Sequence, residues 1–161
     1  MDAESAVTAP CIQYGDGYRF QLRRTISIQT DVIPYASVDL EYLSLSMTGK
    51  FTVKEGYAWD GASKTLNPIS GIRGSLFHDG LYQLMRLDLV DRDQYRIVAD
   101  QLLHDCCMED GMLPIRADAW YEAVRVLAYN ASTPKQEPPI LFAPEGCDSA
   151  VSQNALSGIV G

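Results

Sequence analysis

The sequence predicts an α+β domain, a small N-terminal antiparallel β-sheet followed by a three-helix unit, on three observations. Apolar residues alternate with period two from Tyr18 to Trp59. After Ser75 the apolar positions recur at helical spacing. Between the two regimes lies a loop punctuated by Asp60-Gly61, Asn67-Pro68 and Ser70-Gly71. The length of 161 residues, with 47% hydrophobic and 21% charged, is that of one globular domain with a core of its own.

Residues 1–17 are polar and glycine-containing and read as an N-terminal arm. The domain is expected over 18–130. Within its sheet region, 18–59, Tyr18, Phe20 and Leu22 share one face, a slip at Arg23-Arg24 predicts a bulge, and Ile26 and Ile28 follow. Val38, Leu40 and Tyr42 alternate again. Leu45 and Met47 come after a second slip, and Leu43–Trp59 reads as a hairpin turning at Thr48-Gly49. The loop is expected over 60–74 and the helices over 75–130. Helix one should begin near Ser75 and run to about Leu87, with Leu76, Phe77, Leu81, Leu84 and Met85 as its apolar stripe. Helix two should run from about Asp91 to Glu109, with acidic residues in its first turn and Gly111 as its stop. Pro114 opens helix three, whose inner stripe is Trp120, Ala123, Val124 and Leu127. Residues 131–161 are rich in proline and read as an extended tail. Its apolar island Ile140-Leu141-Phe142 could strap onto this domain or onto a partner.

The formal charge of −8 argues against general nucleic-acid binding, which needs cations to displace phosphate counterions. No apolar run reaches membrane-spanning length, so no transmembrane segment is expected. The opening MDAESAVTAP lacks the basic-then-apolar order of a secretion signal, so cytoplasmic synthesis is expected. Four cysteines, two of them adjacent, are too few and too irregular for a disulfide framework and read as core thiols.

The chain has only two histidines, each followed by aspartate: His78-Asp79 and His104-Asp105. His78, Asp79 and Tyr82 project from neighbouring parts of one helix surface and interrupt an apolar stripe, so they point inward. A buried His and Asp need partners. A tight connection at Asp88–Asp91 returns the chain antiparallel and brings Asp100 opposite. A carboxylate bonded to one imidazole nitrogen sets the tautomer and makes the other nitrogen a better base. His78 and Asp100 are therefore the candidate dyad and Tyr82 its support. Asp79, with Asp60 and oxygens of the Asp60–Ser63 loop, is a candidate ligand set for a hard cation such as Ca²⁺. Metal-assisted hydrolysis would use these parts. The competing reading is a cluster that only ties two helices together. His104 reads as exposed or helix-supporting, and Tyr121 with Arg125 as a surface or cluster-bracing pair. A metal phosphohydrolase of the His-Asp type would need more histidines than the chain has.

Five pieces in order carry a resemblance: the strand end Gly56-Tyr57-Ala58-Trp59, the loop Asp60-Gly61-Ala62-Ser63, and, on the helices, His78-Asp79-Gly80-Leu81-Tyr82, Ala99-Asp100 and Tyr121-Glu122-Ala123-Val124-Arg125. In that order they resemble the phage and prophage domain-of-unknown-function family thirteen fifty-three, over a little under half of the chain. The resemblance implies a tailed-phage or prophage origin but supplies no activity; synthesis is then expected in the host cytoplasm, with the virion as one destination. The three-helix part also resembles the bacterial and fungal phospholipases A2. That likeness implies His78 as general base, Asp100 as dyad partner, Tyr82 as support, Asp79 as calcium ligand, and a phospholipid or ester substrate. The chain departs from those enzymes in lacking their disulfides and a matching glycine-rich calcium loop. The alternative is a non-catalytic virion structural component, a capsid or tail accessory protein that binds neighbouring subunits through its arm and tail.

Overall fold

A computed structural model describes residues 18–61 and 68–134, and the backbone of 12–14 and 141–143. The elements run β1 (Ile12–Tyr14), β2 (Phe20–Gln21), β3 (Ile26–Gln29), β4 (Val38–Asp39), β5 (Leu43–Leu45), β6 (Lys50–Val53) and β7 (Ala58–Trp59). There follow α1 (Ile69–Arg86), α2 (Arg92–Glu109), α3 (Pro114–Leu127), a 3-10 turn at Tyr129–Ser132, and β8 (Leu141–Ala143). The class is α+β, as expected. The chain divides into two compact units, Tyr18–Lys135 and a smaller one drawn from Met1–Gly17 and Gln136–Gly161. In the smaller unit β1 pairs antiparallel with β8, Ile12 opposite Ala143. Of the expected tail, 131–134 are described, with Ala131 and Ser132 in the 3-10 turn and Ser132 buried; the rest of the arm and tail, with Ile140, lies outside the described residues. Among the described residues no helix is long and apolar enough to cross a membrane.

The larger unit holds a four-stranded antiparallel sheet in the order β3-β6-β5-β4 and a two-stranded ladder of β2 with β7. Its alternation is plain in β5 and β6, where Leu43, Leu45, Phe51 and Val53 are buried on one face. The expected bulge at Arg23-Arg24 is absent. Gln21 pairs with Ala58 and Ile26 with Val53, which leaves four residues between the pairs on each strand. Neither strand carries the extra residue that defines a bulge, and the inward face stays on the even-numbered positions. The second slip is a chain reversal. The Leu40 amide donates to the Leu43 carbonyl at 2.7 Å, so Glu41 and Tyr42 form the turn of a β4–β5 hairpin. The next hairpin, β5–β6, turns at Gly49 but ends at Val53. Gly56, at φ +95°, then redirects the chain and β7 pairs with β2 instead. Gly49 has two reasons to be glycine: a φ of +81°, and a Cβ position that falls against the Thr30 carbonyl oxygen.

Helix α1 begins at Ile69, six residues before the expected start near Ser75, so the loop is shorter than 60–74. Ser70, Gly71 and Gly74 read as loop residues because glycine costs a helix about 1 kcal/mol relative to alanine. Packing decides otherwise. A Cβ on Gly71 would meet the Trp120 ring of α3 at 2.6 Å, and one on Gly74 the Leu103 carbonyl of α2 at 2.9 Å. These glycines let α1 approach both neighbours. On its opposite side α1 meets the sheet through Gly80, which abuts Phe51 and Leu43, and through Phe77, edge-on to Phe51. Helix α2 starts as expected, with the Asp91 side chain accepting from the Gln94 amide at 2.9 Å, a cap typically contributing about 1 kcal/mol. Helix α3 lies on the outside, with Ala117 its one fully buried residue.

Candidate functional site

Asp100 is wholly buried in the middle of α2 and accepts from two other helices. His78 Nε2 lies 2.8 Å from its Oδ1, and the Tyr82 hydroxyl donates to the same oxygen at 2.6 Å. From α3, Arg125 donates to Oδ2 at 2.8 Å. Arg96, one turn earlier on α2, comes within 3.7 Å of Oδ2. The expected trio of His78, Tyr82 and Asp100 is therefore assembled. Arg125 is the bracing residue, and Arg96 was not anticipated. Its i,i+4 spacing to Asp100 is the signal that could have found it.

With Nε2 committed to the carboxylate, His78 presents Nδ1 towards Asp79, whose Oδ1 is 3.6 Å away. The imidazole lies against the Tyr82 ring, centroids 4.1 Å apart. Asp100 and Tyr82 lie on the Nε2 side, while Asp79, on the Nδ1 side, is 30% exposed. Exposure of His78 itself is small, at 6%. An open groove of about 420 Å³ bordered by Gln29, Asp31, Gln101, Asp105 and Tyr121 does not include it.

Electrostatics bind this cluster together. Burial disfavours the His78 imidazolium, but the Asp100 and Asp79 carboxylates outweigh it and hold the imidazole above its usual value. Burial would raise Asp100, yet the bonds from His78, Tyr82 and Arg125 hold it below the usual aspartate value. The Tyr82 phenol is pushed up, by burial first and then by Asp100.

The expected cation ligands are less well gathered. Asp60 is exposed at the end of β7, and Ala62 and Ser63 lie outside the described residues. Among the described residues no group of three or more His, Cys, Asp or Glu side chains is placed to hold a metal ion. Asp79 by itself does not make a calcium site, because that cation takes six to eight oxygens. His104 stands apart from the dyad. It bonds to Asp118 of α3 at 2.9 Å and to Asp105 at 3.2 Å, a helix-supporting place. Cys106 and Cys107 are buried free thiols pushed up to about 11, far from reactive. No family model, curated protein or solved structure matches the chain.

Proposed function

We propose that the chain is a phage or prophage hydrolase of phospholipase-A2-like mechanism, with His78 as general base. The observation that carries this reading is the bond from His78 Nε2 to buried Asp100, which leaves Nδ1, beside the part-exposed Asp79, as the nitrogen left to act as a base. A water beside Asp79 gives its proton to Nδ1 while its oxygen bonds to the ester carbonyl carbon. The imidazolium then returns the proton to the departing alkoxide as the ester C–O bond breaks. Asp100 holds the ring and stabilises its charge, and Tyr82 and Arg125 hold Asp100. Calcium dependence belongs to this proposal through Asp79, but no step above runs through a cation. The phage lineage rests on the five ordered motifs. The test is release of fatty acid from phospholipid vesicles and from a soluble ester, in calcium and in chelator. Turnover that needs calcium supports the whole reading, and turnover in both supports the dyad without the cation. No turnover in either removes it.

One observation favours a second reading. Asp100 is wholly buried and joins α1 and α3 to α2, which is what a tie between helices requires. In that case the protein is a non-catalytic virion component and its arm and tail contact neighbouring subunits. Purified particles would then contain it in a symmetric copy number.

A further inference from the structure

Helix α3 is held to α2 along a seam that is polar over about two turns. On α2 the seam runs Arg96, Asp100, His104, each one turn after the last. Arg125, Tyr121 and Asp118 of α3 face them in antiparallel order. Arg96 donates to the Arg125 carbonyl at 3.2 Å and Arg125 to Asp100 at 2.8 Å. Farther along, the His104 ring meets Tyr121 edge-on, centroids 6.1 Å apart, and Nε2 reaches Asp118 at 2.9 Å. Apolar support is thin, since Ala117 alone on α3 is fully buried, with Trp120 and Val124 half-buried beside it.

We propose that His104 is a pH-operated latch that sets how tightly α3 docks on α2 and, through Arg125, how firmly Asp100 is held. The geometry is that of an imidazolium clamp. Each ring nitrogen faces a carboxylate, Asp105 of its own helix through Nδ1 and Asp118 of α3 through Nε2. Gln101 donates to the same Asp105 oxygen at 2.9 Å, which fixes that carboxylate in place. Among the described residues Asp105 and Asp118 are the charged groups bonded to the ring, Gln101 Nε2 lies 3.4 Å from Nδ1, and the titratable Tyr121 ring stands edge-on to it. Both nitrogens donate only when the ring carries its second proton. Once that proton leaves, Nδ1 turns to accept from the Gln101 amide, 3.4 Å away, and the Nε2–H bond to Asp118 stays but loses its charge assistance, so the hold on α3 weakens. The two carboxylates favour the charged ring, so its pKa lies above the usual histidine value. A raised value makes the docking contribution complete below about pH 6.5 and lost as pH rises through the folded value.

The test reads hydrogen-exchange protection of the α3 amides, corrected for intrinsic rates, between pH 5.5 and 8.5, alongside the NMR titration of the His104 ring. Above the His104 midpoint the α3 protection factors should fall roughly two- to five-fold, the size expected of an exposed ion pair. The conservative Asp118→Asn variant should lower the His104 midpoint and flatten that fall, and His104→Gln should abolish it. Protection that does not change with pH in the wild type overturns the latch. So does a His104 midpoint at or below 6.5. A fall that persists in His104→Gln assigns the effect to another group and overturns it equally.

Discussion

His78 of α1 and Asp100 of α2 meet at 2.8 Å with the carboxylate wholly out of water, so each is the other's condition for being buried. The pair is also the hub where α3 is attached, because Arg125 bonds the second oxygen of the same carboxylate. Truncating Asp100 leaves His78, Tyr82 and Arg125 without their acceptor. Asp100→Ala should cost about 3–5 kcal/mol, the usual penalty for breaking a buried charge pair. Asp100→Asn, which keeps the shape and one acceptor, should cost less. Urea unfolding of both variants measures this. Equal and small losses would mean that the hub does not hold the helices.

The same pair gives stability a pH profile. Asp100 sits below its ordinary 3.8, so its contribution is present above that value and lost as pH falls through its depressed folded value. His78 sits above its ordinary 6.5, so its contribution is complete below that value and lost as pH rises through its folded value. Stability should therefore be greatest between about pH 4 and 6.5. Urea midpoints in a His104→Gln background isolate His78, and adding His78→Gln should remove the remaining alkaline decline. An unchanged decline would place it elsewhere.

Two helix ends are built alike but not equally well. After α2 the Gly111 amide donates to Met108 and that of Met112 to Cys107, with Gly111 at φ +87°. After α1 the Asp88 amide donates to Met85 and that of Leu89 to Leu84, the same paired closure, with Asp88 at φ +58°. A left-handed backbone strains a residue with a Cβ and does not strain glycine. Asp88→Gly should stabilise the protein by about 0.5–1 kcal/mol, read as a raised urea midpoint. A loss would mean that the Asp88 side chain contributes more than its backbone costs.

Gly80 lies between the two halves of the His-Asp-Gly-Leu-Tyr motif and against the sheet. An added Cβ would stand 2.9 Å from the Phe51 ring and 3.3 Å from Leu43, both fully buried. Gly80→Ala improves helix propensity by about 1 kcal/mol. It also pushes α1 off the sheet, and overpacking of this kind costs about 1–3 kcal/mol. The variant should be less stable on balance, and a gain in stability would show that Phe51 can yield.

Much of this arrangement was legible in the residues, for reasons that also mark where it was not. The fold class, the start of α2 at Asp91 and the stop at Gly111 follow from local chemistry, caps and period. The trio His78, Tyr82 and Asp100 follows from helical spacing plus one antiparallel return. The start of α1 did not, since Gly71 and Gly74 look like loop residues until Trp120 and the Leu103 carbonyl are placed against them. Tyr42 continues an alternation yet sits in a turn, because period two alone does not mark where a strand reverses. Arg96 combines a readable spacing with an unreadable purpose, for nothing local says that Asp100 needs another cation.

The central claim, that the buried pair serves chemistry and not only cohesion, is tested most directly by phospholipid and ester turnover of His78→Gln against wild type, with unfolding stability measured on the same samples. Glutamine can still donate to Asp100 but cannot take a proton from water. The expected result is a folded variant whose turnover falls about 10²–10⁴-fold, the usual contribution of a general base. Wild type without turnover, or a folded variant that matches it, would contradict the claim and leave His78 and Asp100 as a tie between helices.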